Sequence, residues 1–218
     1  MFKNLIWTKP NSLSADFCQH MIDKFDKSIH KRAGTFGDDT LDKSFKDTTE
    51  LGVTLNPNWA EEDHVLFDAV QNGLDEYEAY LKNIDVQCVP HPFAYFNQQD
   101  RGYKIQKYDA NSIGYKWHND FSIESDFGTR VYVFMWYLNS IDKKYGGSTD
   151  FFDGTSIQPE CGTLVFFPAT WTYVHRGRPT KTEKYIVNGW IYHQEVAPSF
   201  DIHTQEDTSK AKEITMLT

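Results

Sequence analysis

His118, Asp120 and His175 are the residues of this chain whose types and spacing most directly allow chemistry. Two imidazoles and one carboxylate can hold a metal such as Fe(II) on one face, leaving its other positions open for a co-substrate and O2. If residues 115–120 run as a β-strand, His118 and Asp120 lie at i and i+2 and point the same way, with Asn119 turned aside. His175 must then arrive from another strand. The alternatives are ordinary packed or exposed histidines, or a hydrolytic zinc site, for which no further Glu stands out as a general base.

Nine residues beyond His175, Lys184 opens the run Lys184-Tyr-Ile-Val-Asn-Gly-Trp190. Strand alternation puts Lys184, Ile186, Asn188 and Trp190 on one face, and Tyr185, Val187, Gly189 and Ile191 on the other. A lysine heading an otherwise apolar interior face is costly unless it meets an anion or reaches water at the strand end. A dicarboxylate that chelates the metal at one end and meets the ammonium at the other accounts for both the trio and the lysine.

The elements that must position these groups can be read in order. Ser14 has the character of an N-cap, and Phe17, Met21 and Phe25 recur at helical spacing, predicting a helix over about 14–28. A second helix is predicted over about 58–82, with Val65, Leu66, Ala69, Val70, Leu74, Tyr77 and Leu81 as its buried stripe. Between them, 33–49 lacks periodicity and reads as a long mobile loop, the kind that more often serves function than decoration. After Pro90, short β-branched and aromatic runs predict strands near 93–98, 103–109, 115–120, 130–138, 148–152, 163–167, 173–176 and 184–193. The expectation is one domain: a helical support region with the loop at 1–90, a β core at 91–197, and a polar, fraying tail at 198–218. Helices then cover one face of a sheet.

Composition narrows the partners. A net charge of −9 argues against nucleic acid and against an anionic membrane surface. Cys18, Cys88 and Cys161 are odd in number and carry no CxxC, which fits a reducing cytoplasm rather than a disulfide framework. No signal peptide or spanning segment is expected. Oligomeric state is not legible.

The string Tyr108-x6-Tyr115-x2-His118-x-Asp120, then Tyr137-Leu-Asn, Gly146-Gly-Ser-Thr, Gly162-Thr-Leu-Val-Phe-Phe, His175, Lys184 and Trp190 resembles the 2-oxoglutarate and Fe(II)-dependent oxygenases. Within them it is most similar to prolyl 4-hydroxylases. The resemblance implies an α+β, mainly β fold: a double-stranded β-helix (jelly-roll, cupin-like) core with the N-terminal helices packed on one sheet. It implies Fe(II) held by His118, Asp120 and His175, with Lys184 pairing the far carboxylate of 2-oxoglutarate. Tyr108 and Tyr137 would hydrogen-bond that co-substrate, and Trp190 would lie beside it. O2 is the oxidant, ascorbate a further expected ligand, and a proline-containing peptide or protein the expected substrate, with succinate and CO2 as co-products. Lysine at position 184 is typical of collagen-type members, whereas oxygen-sensing members carry arginine. Asp120 favours hydroxylation, because halogenating members lack this carboxylate.

The family's substrate loop often carries Arg-x-Ser, for which Lys46-Asp47-Thr48 is the nearest match. The loop 33–49 and the hairpin 121–128 would flank the mouth as lids. Trp117, Trp136 and Trp171 are candidate platforms for a proline ring, with core packing as their alternative. Two other readings use the same residues: the same chemistry on a free amino acid, small metabolite or other residue, and a metal-free β-barrel binding module.

Overall fold

The computed structural model describes residues 5–37, 39–84, 98–124 and 128–193. β1 (Trp7–Lys9), α1 (Ala15–Lys27), β2 (Arg32–Ala33), β3 (Thr49–Gly52) and α2 (Ala60–Asn83) come first. β4 (Gln98–Asp100), β5 (Lys104–Tyr108), β6 (Tyr115–His118), β7 (Ile123–Glu124) and β8 (Gly128–Tyr137) follow. The last are β9 (Thr149–Phe151), β10 (Ser156–Ile157), β11 (Leu164–Pro168), β12 (His175–Gly177) and β13 (Lys184–His193).

Among the described residues, all the strand pairs are antiparallel and form two sheets. The larger runs β1-β11-β8-β13-β5-β3-β2, with β4 beside β13 and β7 beside β8, and the smaller runs β10-β9-β12-β6. This is the double-stranded β-helix core that the resemblance implies, with the helices on one sheet.

Alternation along the central strands divides the interior into two layers. On β8, Tyr132, Phe134 and Trp136 face the helices, while Val133, Met135 and Tyr137 face the smaller sheet. β11 repeats the pattern with Leu164 and Phe166 against Val165 and Phe167. On β13, Tyr185, Val187 and Ile191 join the helical layer. Gly189 shares that face because a Cβ there would stand 2.4 Å from both the Gly102 carbonyl oxygen and the Phe134 ring.

Helix α1 starts at Ser14, whose hydroxyl accepts the Phe17 amide. It buries Cys18, Met21, Ile22 and Phe25, and Phe25 meets Tyr185 edge-on at 6.1 Å. Each of these large apolar side chains contributes roughly 1.5–3 kcal/mol by leaving water. Helix α2 is preceded by a 3-10 turn over Pro57–Trp59. Its Tyr77 stacks on Phe166 at 5.1 Å, and Gly73 lets the helix approach β11, since a Cβ there would lie 2.3 Å from Leu164.

The segment 33–49 differs from the unstructured loop the sequence suggests. It carries strand β2, a bridge between Phe36 and Thr40, and another between Lys46 and Tyr115, before entering β3. Its stabilisers are non-local and leave no period in the sequence. Phe36 packs on Phe45 at 4.6 Å, and Phe45 on Tyr115 at 5.8 Å. The strand expected at 93–98 falls outside the described residues except for Gln98, and so do the tail 198–218 and residues 125–127 of the hairpin.

Candidate active site

The register of the smaller sheet brings the first two imidazoles together. His118 and His175 are direct partners across β6 and β12, with ring centroids 4.3 Å apart. Asp120 follows two residues after His118, and its Oδ2 lies 3.3 Å from His175 Nε2. One ligand atom from each of the three residues lies within 4.8 Å of the other two, close enough to share a metal ion.

The donor chemistry fits a metal. His118 Nδ1 lies 2.7 Å from the Lys116 carbonyl oxygen and His175 Nδ1 lies 3.0 Å from that of Tyr173. Each Nδ1–H donates to a backbone carbonyl, which fixes the tautomer and leaves Nε2 as the free lone pair. Burial, with His175 beside it, lowers the His118 pKa to about 3, so this ring is neutral. Burial alone would raise the Asp120 carboxyl, but His175, His118, Arg130 and Trp190 together hold it below its ordinary range. A neutral His118 imidazole and an ionised Asp120 carboxylate are the forms in which these two side chains bind a divalent ion.

A cavity of about 490 Å³ extends from these ligands between the two sheets. Lys184, Ile186, Asn188 and Trp190 all line it, the face that alternation predicts. Lys184 is 2 % exposed. Among the described residues its ammonium makes one hydrogen bond, to the Gly147 carbonyl at 2.8 Å, and no ion pair. Burial lowers its pKa to about 7, with Asp150 opposing the shift.

Tyr108 and Tyr137 flank that ammonium, with Nζ 5.2 and 5.4 Å from their ring centroids. The Tyr108 hydroxyl has only a long contact to Gln106, 3.4 Å, and Tyr108 lines the cavity. The Tyr137 hydroxyl is already engaged, donating to Thr149 Oγ1 at 2.8 Å, and it is Thr149 that reaches the cavity wall. Burial raises both phenols, which remain protonated donors.

Arg130 lines the same cavity and is absent from the sequence expectations. Its guanidinium lies 3.9 Å over the Trp190 ring, and it bonds Glu124 at 2.5 Å and Tyr192 at 3.0 Å. Simple alternation from Tyr137 would send Arg130 away from the site. A register shift between Ile191 and Tyr192, whose partners are Tyr132 and Arg130, adds one residue to β8 and reverses the parity there. No local sequence signal marks that bulge.

Lys46 also faces the cavity, held by Glu50 at 2.5 Å and the Thr35 carbonyl at 2.9 Å. Its ammonium lies 5.1 Å over the Tyr115 ring, and Tyr115 stacks on His118 at 3.5 Å. The three tryptophans proposed as proline platforms do not line this cavity. Trp136 belongs to the helical layer and donates to Ser12 Oγ, while Trp117 and Trp171 are exposed.

Residues 103–192 match the family model described as the 2OG-Fe(II) oxygenase superfamily, a span that contains all seven predicted site residues. The match spans the β core that carries the candidate metal ligands, and that segment is similar to the 2OG-Fe(II) oxygenases.

The fold as a whole is similar to those of several solved prolyl hydroxylases. It is similar to the viral collagen prolyl hydroxylase from Paramecium Bursaria Chlorella virus-1 in its 2OG complex, with 21% identity, a TM-score of 0.58, and 88% of this chain and 97% of that one covered. A prolyl hydroxylase from Trichoplax adhaerens, in complex with a hypoxia inducible factor peptide fragment, shares 13% identity at a TM-score of 0.69, over 88% of this chain and 84% of that one. A Pseudomonas putida prolyl-4-hydroxylase shares 17% identity at a TM-score of 0.62, over 88% and 94%. A comparison with curated proteins by sequence finds no match. Among the described residues, no helix is long and apolar enough to cross a membrane.

Proposed function

We propose that this chain is an Fe(II)/2-oxoglutarate-dependent dioxygenase that hydroxylates a C–H bond of peptidyl proline. The observation that carries the reading is Lys184, a buried amine that meets no carboxylate partner among the described residues, in the same cavity as His118, Asp120 and His175. A buried cation is costly unless it meets an anion, and a dicarboxylate bridging the metal and Lys184 supplies one.

His118, Asp120 and His175 are the proposed Fe(II) ligands, with Lys184 as the partner of the far carboxylate. When bound, iron with 2-oxoglutarate and O2 supplies oxidative decarboxylation to succinate and CO2, coupled to transfer of one oxygen atom to a C–H bond. Tyr108 donates its hydroxyl toward the co-substrate, and Tyr137 orients Thr149 beside it. Val133, Met135, Phe167 and Ile186 form the apolar lining that excludes water. Trp190, with Arg130 stacked over its ring, supplies a rigid aromatic wall where the target ring approaches. The free thiols Cys18 and Cys161 suit a cytoplasmic setting.

The primary test is succinate release from 2-oxoglutarate with Fe(II) and O2, set against His118→Ala. Equal background from both proteins would overturn the oxygenase assignment. Proline-containing peptides are then screened by mass spectrometry for gain of one oxygen. Gain confined to other residues would retain the chemistry and replace the substrate.

A further inference from the structure

A second cavity, of about 430 Å³, is lined by Lys143, Lys144, Tyr145, Arg178 and Lys181. Among the described residues no carboxylate lines it, although the chain as a whole carries a net charge of −9. Asp142 pairs with Lys144 at 2.9 Å, and Asp150 meets Arg178 at 3.6 Å. Among the described residues, Lys143 and Lys181 make no ion pair. An acidic protein has here gathered four cations in one concavity, where their fields add.

Three connections build this groove: the β5–β6 turn, the 3-10 turn Lys143–Tyr145, and the β12–β13 loop. They are laced together by backbone bonds. The Asn111 amide donates to Thr180 at 2.7 Å, that of Gly147 to Pro179 at 3.0 Å, and that of Lys181 to Tyr145 at 2.8 Å. Gly146 closes the junction at φ 80°, where a Cβ would stand 2.5 Å from the Pro179 carbonyl oxygen. The groove is therefore preformed.

We infer that this groove binds an extended, carboxylate-rich peptide segment of a partner protein. A compact phosphate is commonly cradled by free backbone amides. Here the amides of Asn111, Gly146, Gly147, Arg178 and Lys181 are all donated to carbonyls within the fold. What the groove offers instead is side-chain charge on separate elements, three lysines and one arginine. Lysine is a point charge on a flexible stem, suited to carboxylates spaced along a chain. Tyr145, 39% exposed, adds a ring against which such a segment can lie.

The test is fluorescence anisotropy of a labelled hexaglutamate peptide titrated with the full chain. Saturable binding is expected, weaker at about 150 mM than at about 20 mM salt as screening predicts. The double variant Lys143→Glu/Lys181→Glu should weaken it by roughly tenfold or more, with an unchanged thermal midpoint as the control for folding. The same charge change at Lys27 and Lys82 on the helices should leave binding within about twofold at about 150 mM salt, since neither lysine lines the groove. Absence of binding, or equal loss in the helix variant, would overturn the inference. So would tripolyphosphate displacing the peptide at lower concentration than unlabelled hexaglutamate does. Self-association of the wild-type chain that the double variant abolishes, without peptide binding, would assign the groove to a second copy and overturn it as well.

Discussion

His118 and His175 face each other as direct register partners on β6 and β12, 4.3 Å apart between ring centroids, with each Nδ1 tied to a backbone carbonyl. Because the backbone orients both rings, loss of one should be uncompensated. His118→Ala is expected to weaken Co(II) binding by more than about 100-fold, since losing even an outer partner of a ligand costs about 10–100-fold. An anaerobic absorbance titration checks it, and wild-type affinity in the variant would refute the assignment of the ligands.

Lys184 gives a pH prediction with a defined sign. Its folded-state pKa is lowered from 10.5 to about 7 by burial. Between those values the unfolded chain holds a proton that the folded chain lacks, so this group makes stability rise with pH across that window. Urea melts of the ligand-free protein should show that slope, and Lys184→Met should remove it.

The same lysine should take up a proton when 2-oxoglutarate binds, because a carboxylate partner restores the charged form. Calorimetry at pH 7.5 in two buffers of different ionisation enthalpy measures the uptake. Lys184→Arg, always charged, should bind without it. Zero uptake by the wild-type protein would show that the ammonium does not meet the co-substrate.

Glu50 is fully buried between Lys46 at 2.5 Å and Lys104 at 3.0 Å. Burial alone would raise its carboxyl, but Lys104 and Lys46 hold it below the usual carboxylate range. Its contribution is thus present at neutral pH and lost as pH falls through the lowered folded-state pKa. Glu50→Gln, which strands Lys46, is expected to cost about 3–5 kcal/mol in chemical denaturation. Lys46→Met should instead loosen segment 33–49 and speed its proteolysis. Unchanged cleavage there would count against Lys46 as its anchor.

Arg130 touches the wall of the cavity rather than its inner end, so Arg130→Leu should separate two functions. Affinity for 2-oxoglutarate should stay within about threefold, while substrate-dependent turnover falls by about tenfold or more, the pattern of a lost substrate contact. Succinate formation with and without peptide distinguishes these, and equal losses in both would place Arg130 in support of the metal site.

The sequence by itself determined much of this protein. The period of α1, its Ser14 cap and the alternation of β13 fix which side chains share a face, because these patterns are local and repeat within a few residues. The same local parity puts Lys184 with Trp190, whereas β6 ends at His118 and Asp120 reaches the site from the segment beyond the strand expected over 115–120. Only the tertiary structure decided the rest. The pairing of His118 with His175 is a matter of register between strands distant in sequence, and the bulge in β8 that turns Arg130 inward arises from its alignment with β13. Segment 33–49 is ordered by Phe45, Lys46 and Glu50 against β5 and β6, contacts with no sequence period. Trp136 and Tyr137 are neighbours of similar chemistry, yet the sheet sends one to the helices and the other to Lys184. Which face of a strand meets the site is decided by what packs against the other face.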